Sequence, residues 1–187
     1  KYWNYKLIGL PKFIYMFITV IFVFSYEKIN SFFWQFNFGS CGKNIFIQKG
    51  TLIRYPKNIF IGDNVSIGKD VEIFTESPYS KLIIGDNSQI NKGVQIDFTG
   101  NLHIGSNVTI SQSTAVITHD HGLNPHSTPE GIELNIDDNV WIGQSSLILS
   151  KVSKIGKNAV IAAGSIVTKE VQMNTVVAGN PARVINK

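Results

Sequence analysis

The sequence predicts a mainly β chain: a three-sided coil of short parallel strands stacked into a prism, preceded by an aromatic-rich helical segment. Three observations predict it. From residue 43 onward aliphatic residues recur every six positions. Short phrases recur at the start of each set of repeats. The composition also changes near residue 39, since residues 1–38 hold 14 of the 21 aromatic residues but one of the 16 glycines.

Within the first segment, residues 13–26 (FIYMFITVIFVFSY) are apolar on every side of a helical wheel. Thr19 is the only polar interruption before Ser25. Ile, Phe and Val also suit a strand, and Pro11 fits near a helix start. Ser31 is a candidate cap for a second helix through FFWQF. The apolar run is shorter than the roughly 20 residues that span a bilayer. Tyr2, Trp3 and Tyr5 before it, and Phe32, Phe33 and Trp34 after it, are placed like the aromatic flanks of an interfacial segment. Lys6, Lys12 and Lys28 are candidates to meet lipid phosphates. The alternative is that the segment covers the end of the next domain or packs on a neighbouring subunit. The predicted boundaries are 1–42 for this segment and 43–187 for the coil.

The six-residue spacing is explicit in Ile61, Ile67 and Ile73, in Ile84, Ile90 and Ile96, and in Ile104, Ile110 and Val116. It returns in Ile136, Ile142 and Ile148, and in Ile155, Ile161 and Val167. The phrases are IGDNVSIG, IGDNSQIN, IGSNVTIS, IDDNVWIG and IGKNAVIA. A helix wants spacings of three and four, and a plain strand two. One aliphatic every six residues, followed by Gly, Asp or Asn, reads as a short strand plus a turn. Three such units close a triangle, all aliphatics point to the axis, and stacked coils lie about 4.8 Å apart. No coil buries its aliphatics alone, so neighbours supply the stability.

Departures from an 18-residue coil locate the insertions. They are five residues near ESPYS, two near Thr99 and Gly100, and fourteen at THDHGLNPHSTPEG, predicted as a loop over 118–131. Long ordered loops in compact repeats are commonly functional. This one presents His119 and His121, half of the chain's four histidines.

The bulk numbers exclude several classes. Charged residues make up 16% of the chain, too few for extended disorder. The formal net charge of +4 reads as an ordinary soluble surface, with a preference for phosphate-bearing ligands or an anionic membrane face as the alternative, and no nucleic-acid partner is expected. A single cysteine, Cys41, forms no internal disulfide, and with no cleavable signal pattern it predicts a reducing, cytoplasmic setting. The sequence opens on Lys1 rather than Met, which predicts a few residues before it.

The five phrases, with NVWIG (139–143), IAAGSIVTKEV (161–171) and VVAGNPARVI (176–185), resemble the hexapeptide-repeat acyltransferases over about residues 43–187. The resemblance is to the galactoside and maltose acetyltransferase branch and to O-acetyltransferases of bacterial surface polysaccharides. It implies a left-handed parallel β-helix, although the usual crossover preference is right-handed. It also implies a homotrimer with active sites between subunits, acetyl-CoA as acyl donor, a carbohydrate acceptor and no metal. An acetyl-CoA:sugar O-acetyltransferase at the cytoplasmic membrane face, acting on a surface glycan or its lipid-linked precursor, is the expected function.

A sugar hydroxyl is a weak nucleophile at neutral pH, and a neutral imidazole within reach can take its proton as it attacks a thioester. Counted from Ile110, His121 falls where the family's catalytic histidine stands. His119 is the second candidate. Asp120 is a candidate to orient a ring, and Trp141 and Asp97 to contact the acceptor. Gly143 and Gln144 offer backbone N–H groups for the thioester oxygen. Ala163, Thr168, Lys169 and Arg183 match cofactor-binding positions, the two cations being suited to phosphate. The alternatives are an amino-sugar N-acetyltransferase, a γ-type carbonic anhydrase-like zinc enzyme using His103, His121 and His126, and a scaffold that binds no acetyl-CoA.

Overall fold

The computed structural model describes residues 12–186. Three parallel sheets form the faces of a prism. The first runs from Ser40–Cys41 through Ile59–Ile61, Leu82–Ile84, Leu102–Ile104 and Leu134–Ile136 to Lys154–Ile155. The second begins at Phe46–Ile47 and the third at Leu52–Ile53, each gaining one strand per coil. The pairing is in register: Ile61 sits on Ile84, Ile90 on Ile110, and Ile96 on Val116. The six-residue aliphatics are buried as the spacing predicts. The core holds a second set that the spacing omits, two residues earlier: Val65, Val71, Val94, Val108, Val140 and Ala159, all at most 1% exposed. Small side chains fit there because the prism narrows at its corners.

The recurring Gly-Asp-Asn phrase has a local cause. Asn64, Asn87, Asn107, Asn139 and Asn158 all adopt left-handed backbone with φ of 57–58°, one per coil at the same corner. Asparagine tolerates this region because its short amide bonds locally. Here the amides also form rungs between coils: Asn64 Nδ2 donates to Asn87 Oδ1 at 3.1 Å, and Asn139 Nδ2 to Asn158 Oδ1 at 3.1 Å. The preceding aspartate accepts from the coil below. Asp86 Oδ1 takes the Asp63 N–H at 2.7 Å, and Asp138 Oδ1 the Ser106 N–H at 2.9 Å. The glycine is required by backbone approach: a Cβ on Gly85 would lie 2.6 Å from the Gly105 carbonyl carbon and 2.7 Å from the Ser106 nitrogen.

One continuous helix, α1 (Lys12–Gln35), precedes the prism. Ser31 starts no second helix. It lies inside α1, where its Oγ donates to Glu27 O at 2.8 Å and accepts the Ile47 N–H at 2.8 Å. Asn30 Nδ2 donates to Ile47 O at 3.0 Å. The end of α1 thus satisfies the open backbone of the first second-face strand, and Trp34 stacks on Phe38 beneath it. From residue 14 to 26 every side chain is exposed, including Phe22 at 72%. By length and composition Ile14–Gln35 is long and apolar enough to cross a membrane. The expected roles of Tyr2, Trp3, Tyr5, Lys6 and Pro11 lie outside the described residues. At the other end, Ala182–Asn186 folds back antiparallel on Val176–Gly179.

Gly85→Ala forces two backbones apart at a corner, an overpacking change that typically costs about 1–3 kcal/mol. The expected outcome is a Tm lower by several degrees, read by thermal unfolding, at about 2–4 °C per kcal/mol for a chain of this size.

Candidate active site

The three insertions leave the prism from one edge. Glu76 follows the third-face strand Glu72–Phe74, Asp97 ends the next third-face strand and pairs with Phe74, and the long insertion follows Ala115–Val116 directly above. The third and first faces meet at this edge. The long insertion is a β-hairpin rather than an irregular loop, with His119–Asp120 antiparallel to Glu130–Gly131. Its base closes on Gly100, where a Cβ would lie 2.3 Å from the Ile132 nitrogen.

Asp97 is the anchor. It is fully buried, so it cannot touch an acceptor as the sequence suggested. Its Oδ1 accepts the Thr99 N–H at 3.0 Å and the Thr99 hydroxyl at 2.5 Å. Its Oδ2 accepts the Thr118 N–H at 2.7 Å, the Thr118 hydroxyl at 2.9 Å and His119 Nδ1 at 2.8 Å. Burial acts to raise its pKa, but hydrogen bonds from Thr99, His119 and Thr118 outweigh it and hold the carboxyl below its ordinary value. An ionised acceptor on Nδ1 fixes the ring orientation and leaves Nε2 of His119 facing outward.

His121 is fixed by a different partner. Its Nδ1 lies 2.8 Å from the Ser127 carbonyl oxygen, an acceptor only, so Nδ1 carries a proton and Nε2 is the atom that offers a lone pair in the neutral form. Ser127 Oγ donates back to His121 O at 2.8 Å. The two rings meet edge to face, with centroids 5.0 Å apart. His121 is the more open, its side chain 27% exposed against 12% for His119. Both Nε2 atoms face Glu76: His119 is 3.6 Å from its Oε1 and His121 is 3.6 Å from its Oε2. Glu76, His119 and His121 are therefore the described residues grouped so that they could hold a metal ion.

Several expected roles change. Asp120 orients neither ring, because its Oδ1 accepts the Gly122 N–H at 2.7 Å and shapes the hairpin turn. The Gly143 N–H is not free for a thioester oxygen, since it donates to Ile161 O at 2.8 Å within the coil ladder. Gln144 remains as the candidate of that pair, exposed on the edge. The zinc grouping of His103, His121 and His126 does not assemble within the chain: His103 faces out from the first sheet, and His126 sits in the exposed hairpin turn. Cys41 is half-buried on the first face, where burial pushes its thiol pKa up and away from nucleophilic use.

Trp141 is 54% exposed on the second face, its indole N–H donating to Ser111 Oγ at 3.1 Å. Gly143, Gln144 and Ala163 lie at the edge between the second and third faces, away from the histidines. Lys169 is on the histidine edge, two coils further on, and Thr168 is beside it. Arg183 is exposed on the C-terminal strand. One chain therefore separates the histidines from most of the cofactor-binding candidates. Glu76, Thr99, Thr118 and Ser127 were not singled out from the sequence. The available signal was the shared phase of the three insertions, which puts Glu76 over the same edge as Asp97 and His119.

No protein-family model matches the chain. It is 30% identical over 152 residues to a galactoside O-acetyltransferase of Escherichia coli K12, covering 80% of this chain and 64% of that one. The chain spans just under two thirds of the length of three curated relatives it matches: 66%, 64% and 63%. Among solved structures, a maltose O-acetyltransferase from Clostridium difficile 630 is 30% identical, with a TM-score of 0.61 over 82% of this chain and 72% of that one. A variant of AntD, an N-acyltransferase from Bacillus cereus solved with dTDP and coenzyme A, is 25% identical, with a TM-score of 0.71 over 80% and 83%. On this likeness and on its in-register three-sided prism, the chain belongs to the hexapeptide-repeat acetyltransferases of the left-handed parallel β-helix fold.

Proposed function

We propose that the protein is an acetyltransferase that uses acetyl-CoA and a sugar acceptor, with His121 as general base and His119 as its positioning partner. The observation that carries the reading is the pair of imidazoles, each with Nδ1 committed to an acceptor and Nε2 turned outward, on a hairpin of an acetyltransferase prism. Acetyl-CoA supplies an activated thioester. His121 Nε2 takes the acceptor proton as the acceptor oxygen attacks, and the same ring returns a proton to the departing thiolate. Asp97 holds His119, and the edge-to-face contact between the two rings limits the swing of His121.

The edge beneath Gln144 fits a linear thioester arm. Ala163 is small, and a Cβ at Gly164 would meet nothing within 4 Å. Lys169, Thr168 and Arg183 are suited to the phosphates of the donor. An open cleft beside Glu76, lined by Ser77, Pro78, Tyr79, Thr128 and Pro129, is the acceptor candidate. Tyr79 is 89% exposed there and offers a flat face to a sugar ring.

A homotrimer accounts for the separation of the two edges, since a neighbouring prism brings one against the other. The fully exposed Leu123 at the hairpin tip fits such a contact. The apolar projecting half of α1 supports peripheral attachment at the inner membrane face, where a lipid-linked surface-glycan precursor is the acceptor. The favoured acceptor atom is a hydroxyl, as in the named activity of the maltose relative. The AntD likeness keeps the amino sugar as the second reading, and matched hydroxyl and amino acceptors distinguish them.

Three outcomes test this. His121→Ala lowers kcat/KM for acetyl transfer by about 10²–10⁴-fold, while His119→Ala gives a smaller loss; the reverse order exchanges their roles. Asp97→Asn places an amide against the Thr118 donors and costs about 1–3 kcal/mol at pH 7. Because the folded pKa of Asp97 lies below the unfolded value of about 3.9, its contribution is complete above that value and fades as pH falls through the folded one. The Tm gap between parent and Asp97→Asn therefore narrows in acid. A chain lacking residues 1–26 retains the Ser31 and Asn30 contacts, keeps its Tm, and no longer floats with anionic vesicles.

A further inference from the structure

We infer that Glu76, His119 and His121 form a binding site for a divalent transition metal of the zinc class, and that the metal and acetyl transfer exclude one another. This goes beyond the proposed transferase and departs from the expectation of no metal. Three potential ligand atoms converge: with Nδ1 of each ring held by an acceptor, both Nε2 atoms are turned towards the Glu76 carboxylate and become ligand atoms in the neutral rings that a metal selects. Each Nε2 lies 3.6 Å from a Glu76 oxygen, too far for a hydrogen bond. Tetrahedral zinc with bonds of about 2.0–2.1 Å sets its ligands roughly 3.4 Å apart, close to the observed spacing. The ligand atoms of all three residues lie within 4.8 Å of one another.

The supporting contacts are those a metal site requires. A metal-bound histidine typically donates its other N–H to a carboxylate or a backbone carbonyl, which fixes the tautomer. Asp97 does this for His119 and the Ser127 carbonyl for His121. Two imidazoles and one carboxylate as ligands would leave a fourth position for water. The metal would take the lone pair that His121 needs as a base, so occupancy stops the transfer without altering the fold.

The test uses the full chain after chelator treatment, titrated with Co²⁺ as a spectroscopic stand-in for Zn²⁺. The expected result is one equivalent bound with the visible absorption of a four-coordinate site, displaced by Zn²⁺. Glu76→Gln, an exposed substitution checked for an unchanged melt, weakens binding at least tenfold, and His121→Ala removes the absorption. Zn²⁺ also inhibits acetyl transfer, and chelator restores it. Absence of stoichiometric binding, or equal binding by Glu76→Gln and parent, overturns the site. The absorption titration stands whether or not acetyl transfer is detected, so failure of the transferase reading is separately visible.

Discussion

The constraint behind every other feature is the distance between stacked coils. A ring of three two- or three-residue strands encloses too little volume to bury its own isoleucines, so each ring serves as floor to the next. At about 4.8 Å the backbones at the corners almost touch. Glycine is then needed where a Cβ would strike the neighbouring chain, as at Gly85. The adjoining Asp and Asn turn the same proximity into hydrogen bonds between coils, through Asp86 and Asn64 among others. Repetition in the sequence is thus the trace of one spacing imposed again and again.

A repeat this strict offers few places for chemistry. Each ring must close in register, so additional residues leave only at a corner, and corners at the same phase lie above one another. Three successive rings carry their additional residues at one such phase. The result is a vertical line of Glu76, Asp97 and the two histidines, drawn from segments up to 45 residues apart in sequence and brought together by coil stacking. Asp97 links the rigid body to the hairpin. It receives donors from its own strand end and from the hairpin base, so its burial orders the segment that carries the imidazoles.

Much of the prism was legible in the residues. Ile61, Ile90 and Val116 point inward as their spacing requires, and the Gly-Asp-Asn phrases mark the corners. The small inward residues such as Val94 and Ala159 were less visible, because Val and Ala there also read as ordinary strand. Ser31 misled, since serine before an aromatic run has the look of a cap, whereas its hydroxyl engages Ile47 from inside a longer helix. At the site, the histidines stood out as an interruption. The part of Asp97 did not: a side chain's burial and partners depend on which coil lies above it, and an aspartate next to a core isoleucine resembles the turn aspartates elsewhere in the chain. Gly143 was misjudged for a related reason, as its N–H belongs to the inter-coil ladder that the phrase itself encodes.

The two ends of the stack are treated unlike its middle. An exposed terminal ring presents unpaired N–H and C=O groups to any identical ring that arrives, and such edges template fibre growth. Here Asn30 and Ser31 occupy the Ile47 groups at one end, and the antiparallel return of Ala182–Asn186 covers the second face at the other. On the second face these contacts occupy the edge that an identical ring would need, so a second copy cannot add there by simple strand pairing.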